Sequence, residues 1–291
     1  MKKLLPNILW LFCSSLLFAC QKTIPPFNDS GSTPAPLFDS TPIAHIVVPL
    51  INEGSGIADS KANPGFLWVE EDSGNPPWLY LLSHDGNVLK TIYIKGATNR
   101  DWEDMCLTAD TIYIADIGDN NSKDTVYYFY RFAEPLSSVD TITSFDVISF
   151  KYPDGPHDAE AFLIDAQTKD IFIITKRDNP SRIYKLSFPY STSSINATTF
   201  AGTLPYTGVT SACISQDGKE IIVKTYLALF HYTRSVEESI LPALQKNYTL
   251  LPYVIEPQGE AVTFAQDNSG YFTLSEKGLS TSVNLYFYPR K

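Results

Sequence analysis

Asp101-Trp102-Glu103-Asp104-Met105 is a short acidic turn running into an apolar strand, and the chain repeats it. Related openings occur at Gly54-Ser55-Gly56-Ile57-Ala58, Asp158-Ala159-Glu160-Ala161-Phe162, Val209-Thr210-Ser211-Ala212-Cys213 and Gln258-Gly259-Glu260-Ala261-Val262. Aligned on positions 56, 103, 160, 211 and 260, they recur at spacings of 47, 57, 51 and 49 residues. Each is followed by a second strand such as Thr111-Ile112-Tyr113-Ile114-Ala115 or Asp170-Ile171-Phe172-Ile173-Ile174. A polar loop and a third, aromatic strand follow, such as Val126-Tyr127-Tyr128-Phe129-Tyr130 or Asn284-Leu285-Tyr286-Phe287-Tyr288. Turn sequences such as Ser83-His84-Asp85-Gly86 and Ser215-Gln216-Asp217-Gly218 separate the strands. Four short strands recurring about every 50 residues are the signature of a β-propeller. The expected fold class is therefore all-β, a propeller of five blades. Six blades would need one degenerate unit, and 236–251 is the stretch with room for it or for a short helix.

The last unit lacks an outer strand, while Ile43-Ala44-His45-Ile46-Val47-Val48-Pro49-Leu50 precedes the first unit without a place in it. That stretch is expected to complete the last blade and close the ring, which protects sheet edges that would otherwise pair with other chains. The propeller domain is thus placed at 43–291.

Upstream, Lys2 and Lys3 precede a short apolar region that ends at Ala19-Cys20. A basic start, a short apolar core and a small residue read as a secretion signal. Leu17-Phe18-Ala19-Cys20 resembles the lipobox of bacterial lipoproteins. The resemblance implies cleavage of residues 1–19 and a lipid on Cys20. The chain is then anchored at the bacterial cell envelope, with Gln21 after the Cys suiting the outer membrane. Residues 20–42, with Pro25, Pro26, Pro34, Pro36 and Pro42, read as an extended tether.

Losing residues 1–19 removes two lysines and no acid, so the formal charge of −10 becomes −12. Such acidity does not suit a nucleic-acid partner. Cys106 and Cys213 each sit in an apolar strand pattern and read as buried thiols, with a bridge between them left open.

In a propeller the first strand of each blade lines the central channel. The turns leading into these strands open on one face, with the loops joining second and third strands. The leading turns supply Asn52, Glu53, Arg100, Asp101, Glu103, Asp104, His157, Asp158, Glu160, Gln258 and Glu260, and the second loops supply Glu70, Glu71, Asp72, Asp116, Asp119, Asn120, Lys176, Arg177, Lys224, Tyr226, Glu276 and Lys277. Two like charges about 5 Å apart cost about 3 kcal/mol at an effective dielectric near 20. Converging carboxylates therefore need a bound cation, a raised pKa, or nearby Lys and Arg. A hard cation such as calcium suits carboxylate oxygens. Any single acid here could equally serve only to fix its turn through backbone N–H groups. Arg100, Asp101, Asp158, Lys176, Lys224, Glu276 and Lys277 are the candidate ligand contacts. His157 is the candidate general base, and Trp102 is read as blade packing rather than a ligand platform. The turn at Asp116-Ile117-Gly118-Asp119-Asn120-Asn121 lacks the spacing and closing Glu of an EF-hand. No Gly-x-Ser-x-Gly, His-Glu-x-x-His, phosphate-cradling or Cys-x-x-Cys pattern occurs.

Glu53-Gly54-Ser55-Gly56-Ile57-Ala58, Asp101-Trp102-Glu103-Asp104, Asp158-Ala159-Glu160-Ala161 and Gly259-Glu260-Ala261-Val262 resemble the inner-strand motifs of a broad group of bacterial propellers. That group includes SdiA-regulated-type proteins, esterase-like phytase domains and, more distantly, calcium-dependent lactonases. The resemblance implies channel-facing acids that coordinate calcium, here Glu103, Glu160 and Glu260, with Gly56 and Ser211 breaking the ring. The function expected is a surface-anchored propeller binding a ligand or ion, with calcium as the ion, at an acidic channel mouth. A calcium-dependent hydrolase of phosphoesters or lactones is the first alternative. A protein-interaction scaffold with aromatic blade surfaces is the second.

Overall fold

Strands in the computed structural model fall where the repeat placed them, because each apolar segment is short and bounded by turn residues. The structure describes residues 36–291. The expected signal segment 1–19, the lipid site Cys20 and the tether up to residue 35 lie outside the described residues. Five antiparallel sheets succeed one another around a ring. Blade 1 holds Gly54–Asp59, Phe66–Glu71, Trp78–Ser83 and Val88–Ile94, and blade 2 holds Trp102–Thr108, Thr111–Asp116, Tyr127–Ala133 and Asp146–Lys151. Blade 3 holds Ala159–Ile164, Ile171–Thr175, Arg182–Leu186 and Thr199–Thr203, and blade 4 holds Val209–Ile214, Glu220–Thr225, Leu229–Thr233 and Thr249–Leu250. Blade 5 takes Ala261–Phe264, Gly270–Leu274 and Asn284–Pro289 from the end of the chain and Ile43–Ile46 from its beginning. The closing strand pairs antiparallel, Ile43 opposite Phe287 and Ile46 opposite Asn284, as the unplaced segment required.

Apolar burial follows the ring. Five hydrophobic clusters fill the five seams between neighbouring blades, for example Trp68 and Leu81 of blade 1 against Trp102 and Ile114 of blade 2. Trp102 is fully buried in that seam and donates its indole N–H to the Thr98 carbonyl at 3.2 Å, the packing role read from sequence. Cys106 and Cys213 are both free thiols, and burial raises the pKa of each. The stretch set aside for a helix contains one, Ile240–Leu244, with Ile240, Ala243 and Leu244 buried.

Two details go beyond the repeat. Thr141–Ile142 and Asn196–Ala197 run parallel to the outer strands of blades 1 and 2 and cover their edges. The ordered domain also reaches back past residue 43. Phe38, assigned to the tether, is fully buried with its ring 4.9 Å from that of Tyr271, and the Asp39 N–H donates to the Pro289 carbonyl at 2.8 Å. One aromatic in a run of Pro, Ser and Asp carries no periodic signal, so its docking is invisible to pattern reading.

Candidate functional site

The inner strands of blades 1 to 4 each carry a β-bulge near their first residue. The pairing slips between Gly54 and Gly56, Trp102 and Asp104, Ala159 and Ala161, and Val209 and Ser211. A bulge inserts one unpaired residue and re-aims its side chain. The bulged residues are Ser55, Glu103, Glu160 and Thr210, and Glu260 stands just before the inner strand of blade 5. All five are at most 4 % exposed. The register expected from sequence is corrected by one residue in two blades. Ser55 and Thr210, not Gly56 and Ser211, occupy the position of Glu103. Gly56 and Ser211 instead match Asp104.

Two groups of carboxylates form around Glu103. Ligand oxygens of Glu103, Asp158 and Glu160 all lie within 4.8 Å of one another, and so do those of Asp72, Asp101 and Glu103. Glu160 is 2 % exposed; one oxygen meets the Lys176 ammonium and the other, Oε2, is buried with no hydrogen-bond partner among the described residues. Asp158 accepts from the Asp119 N–H at 2.8 Å and from Arg177 Nε at 2.6 Å. Glu260 belongs to neither group. Its Oε1 accepts from the Tyr226 hydroxyl at 2.7 Å and lies 3.7 Å from Lys176 Nζ, and its Oε2 faces Ser55 Oγ at 3.4 Å. Lys176 is thus the internal countercharge of the mouth.

Electrostatics at the mouth are frustrated. Burial first, then neighbouring carboxylates, holds Glu103 well above the ordinary carboxyl range. Burial also raises Glu160, against the pull of Lys176. Burial, and after it Asp101 and Glu260 against the Ser73 N–H, pushes Asp72 up to about 7. Burial and then Glu260 push Glu276 up to about 9, although Gln258 Nε2 donates to Glu276 Oε2 at 2.7 Å. Of the seven acids Asp72, Asp101, Glu103, Asp158, Glu160, Glu260 and Glu276, only Glu160 and Glu260 lie within ion-pair reach of Lys176 and Asp158 pairs with Arg177, so the mouth must retain protons or take up a cation.

Two expected contacts are held by other partners, and a third is unengaged. Arg100 turns outward onto Asp116 at 3.3 Å, Asp124 at 3.2 Å and the Tyr127 and Tyr128 rings, so it fixes the turn rather than facing the channel. Lys224 sits within its strand opposite Ser211, fully buried, with Glu256 at 3.0 Å and the Tyr253 hydroxyl at 2.9 Å. Lys277 makes no side-chain hydrogen bond among the described residues. His157 stands on the leading turn of blade 3 with its ring between carboxylates. Nδ1 is 2.9 Å from Asp178, and Nε2 is 3.1 Å from Asp154 and 2.8 Å from the Tyr184 hydroxyl. Neither nitrogen is left open to take a proton from a substrate.

Two acids that the sequence places in these loops, Glu70 and Asp104, received no ligand role from it. Glu70 occupies a second-strand register where blades 2, 3 and 5 have Ala115, Ile174 and Leu274. A carboxyl in a slot that is apolar in these three blades, and charged otherwise only at Lys224 of blade 4, was the available signal. Both its oxygens are buried without a partner among the described residues, and burial raises its pKa. A Cβ on Gly56 would come 2.5 Å from Glu70 Oε1 and 2.6 Å from the Met105 backbone nitrogen, so glycine makes room for this carboxyl. Asp104 crosses the hub from blade 2 toward Phe162 of blade 3 and Ser211 of blade 4.

Gly118 makes room for the mouth itself. A Cβ there would overlap Glu103 Oε1 and come 2.5 Å from Asp101 Oδ2. Because these atoms end flexible side chains, Gly118→Ala is expected to displace both carboxylates at a stability cost below about 1 kcal/mol. Any cation affinity of the mouth should fall by about tenfold or more, which is one lost charge-assisted contact. Calorimetric titration with calcium beside a urea melt checks both numbers.

No protein-family model matches the chain, and no curated protein matches it. Among solved structures it is similar to an auxiliary nutrient binding protein from Bacteroides thetaiotaomicron, with 9 % identity, a TM-score of 0.47, and coverage of 87 % of this chain and 73 % of that one. A likeness this distant carries no statement about ligand or activity. The five-bladed architecture rests on the strand order above.

Proposed function

We propose that the protein is an envelope-anchored binding propeller, held by a lipid on Cys20, that takes a divalent cation at its acidic mouth and an anionic or polar ligand through it. Calcium is the cation the all-oxygen donor set suits. The observation that carries the reading is the Glu103–Asp158–Glu160 group, with a buried Glu160 oxygen that no protein donor reaches. Asp72 and Asp101 offer a second position sharing Glu103. Glu103 and Glu160 keep the ligand roles that the resemblance implies. Asp158 replaces Glu260, whose oxygens serve Tyr226 and Ser55. Lys176 occupies one Glu160 oxygen as a resident cation and must yield or share it when a metal enters. The reading stops at binding, because the candidate base His157 has both ring nitrogens engaged.

Thermal melts test it. A cation at about 100 times its Kd adds about 2.7 kcal/mol to the folded state. For a domain of this size that raises Tm by about 5–10 °C. Calcium should produce this shift, EDTA should reverse it, and Glu160→Gln should abolish it. A wild-type melt indifferent to both additives would end the cation reading.

The same carboxyls set a pH dependence for the metal-free protein. Glu276 and Asp72 titrate higher in the fold than in the unfolded chain. Between about pH 4, where free carboxyls ionise, and about pH 9, the native state therefore binds more protons than the unfolded one. Stability must then fall as pH rises through this window, the reverse of an ion-paired carboxylate. Urea midpoints without calcium should be lower at about pH 9 than at about pH 5, and calcium should narrow the gap because it replaces the protons. A midpoint that rises with pH would show that the acids are ionised and satisfied without a metal.

A further inference from the structure

At the opposite end of the strand Gly54–Asp59 from the acidic mouth, where the ring closes, blades 5 and 1 line an open cleft of about 710 Å³. This is within the usual size of small-molecule sites, about 300–1,000 Å³. Ile43 of the closing strand, Phe272 and Phe287 form apolar walls, and His84 and Asp59 supply a polar end. Asp59 is 4 % exposed; its Oδ2 accepts from the Gln266 N–H at 2.8 Å, and its Oδ1 lies 2.6 Å from His84 Nε2. The imidazole is held on two sides and its backbone is pinned. Asp59 takes Nε2, the Phe272 ring lies 4.6 Å from the His84 ring, and the His84 backbone N–H donates to the Gly65 carbonyl at 2.9 Å. Its other nitrogen, Nδ1, has no protein partner among the described residues, and the side chain is 36 % exposed.

A carboxylate that accepts the Nε2 proton fixes the tautomer, so in the neutral imidazole Nδ1 is a bare acceptor. A strong acceptor at one end of an aromatic-walled cleft selects a hydrogen-bond donor attached to an apolar ring. The charged groups near the cleft discriminate against ions. Lys61 is spent on Asp110 at 2.6 Å, and the Asp59 and Asp267 carboxylates repel an anion. A cation would have to shed water against Phe272, Phe287 and Ile43.

We propose that this cleft is a second ligand site, separate from the acidic mouth, for a small neutral ring compound bearing a hydroxyl. The hydroxyl donates to His84 Nδ1, and the ring packs on Phe287 and Ile43, above the buried Phe272. The site is independent of the cation reading, since none of its residues belongs to the mouth.

Fluorine NMR titrations of the whole protein with para-fluorophenol and with fluorobenzene test it. One hydrogen bond in a partly shielded site is worth about tenfold in affinity. The phenol should therefore saturate about tenfold more tightly than fluorobenzene. His84→Phe should erase that preference, and Ile43→Trp, at a residue that is 49 % exposed and so tolerant of change, should block both probes. Glu160→Gln should change neither titration. Absence of saturation by the phenol in a folded wild type, or an unchanged preference in His84→Phe, overturns the proposal. If His84→Phe does not fold, Ile43→Trp decides alone: undiminished phenol binding there places the probe elsewhere.

Discussion

A chain that begins at Ile51 is expected not to form the ring, and one that begins at Ile43 to fold with a loss of about 3–5 kcal/mol. The first deletion removes the whole outer strand of blade 5. Ile43–Ile46 is then gone from the edge of Asn284–Pro289, and so are the Val47 N–H bond to the Val283 carbonyl at 2.9 Å and the two Val48–blade 1 backbone bonds at 2.8 Å. Val47, 2 % exposed, also leaves the seam between blades 5 and 1. The strand left bare carries Leu285, Phe287 and Tyr288, which makes it a template for pairing with a second chain. Domains hold only about 5–15 kcal/mol in total, and a lost seam plus an open ring exceeds that. The milder deletion keeps the strand and loses Phe38, which is wholly buried under Tyr271 and the Arg290 guanidinium, the latter 4.5 Å from the ring centre. Near-UV circular dichroism, size-exclusion elution and urea midpoints on the two truncations check the ranking. A chain from Ile51 with a native midpoint would mean that the ring closes without its latch.

What the sequence showed and what it hid divide along a physical line. Blade count, the closing strand and buried Trp102 follow from side-chain chemistry recurring along the chain, and recurrence survives without coordinates. The inner-strand register does not, because a β-bulge is a backbone event. Nothing in Gly54-Ser55-Gly56 or Val209-Thr210-Ser211 says which residue is extruded, so the acid-bearing position slipped by one in both. Arg100 and Lys224 were placed near the channel because they sit close to acidic turns. Proximity in sequence does not fix a partner, and Lys224, opposite Ser211, is buried against Glu256 of the segment that leads into blade 5. His84 was read only as part of a turn, since its partner Asp59 is 25 residues away and meets it only through the fold.

Asp104→Ala is expected to cost about 3–5 kcal/mol, the usual penalty for emptying one side of a buried charged network. Asp104 is the acid of the quoted motif whose carboxyl accepts hydrogen bonds from two other blades. It is 1 % exposed, and Oδ1 accepts from the Met105 N–H and from Ser211 Oγ, both at 3.0 Å. Oδ2 faces the Phe162 and Ala212 N–H groups, both at 3.4 Å. One carboxyl of blade 2 thereby ties blade 3 and blade 4 across the hub. Alanine would leave these donors buried and unpaired, at about 1–3 kcal/mol for each one fully lost. The carboxyl itself is uncomfortable: burial outweighs all four hydrogen bonds and raises its pKa well above the ordinary range. A neutral amide should therefore be a better substitute than a methyl group. Asparagine keeps an acceptor for Met105 and Ser211 and sacrifices only the two long contacts, so Asp104→Asn should retain at least about 1 kcal/mol relative to Asp104→Ala. In melts the alanine variant should unfold about 6–12 °C below wild type, with the asparagine variant between them. If both variants matched wild type to within about 0.5 kcal/mol, the hub would be held by seam packing alone, and the tie across blades 2, 3 and 4 would be an incidental contact.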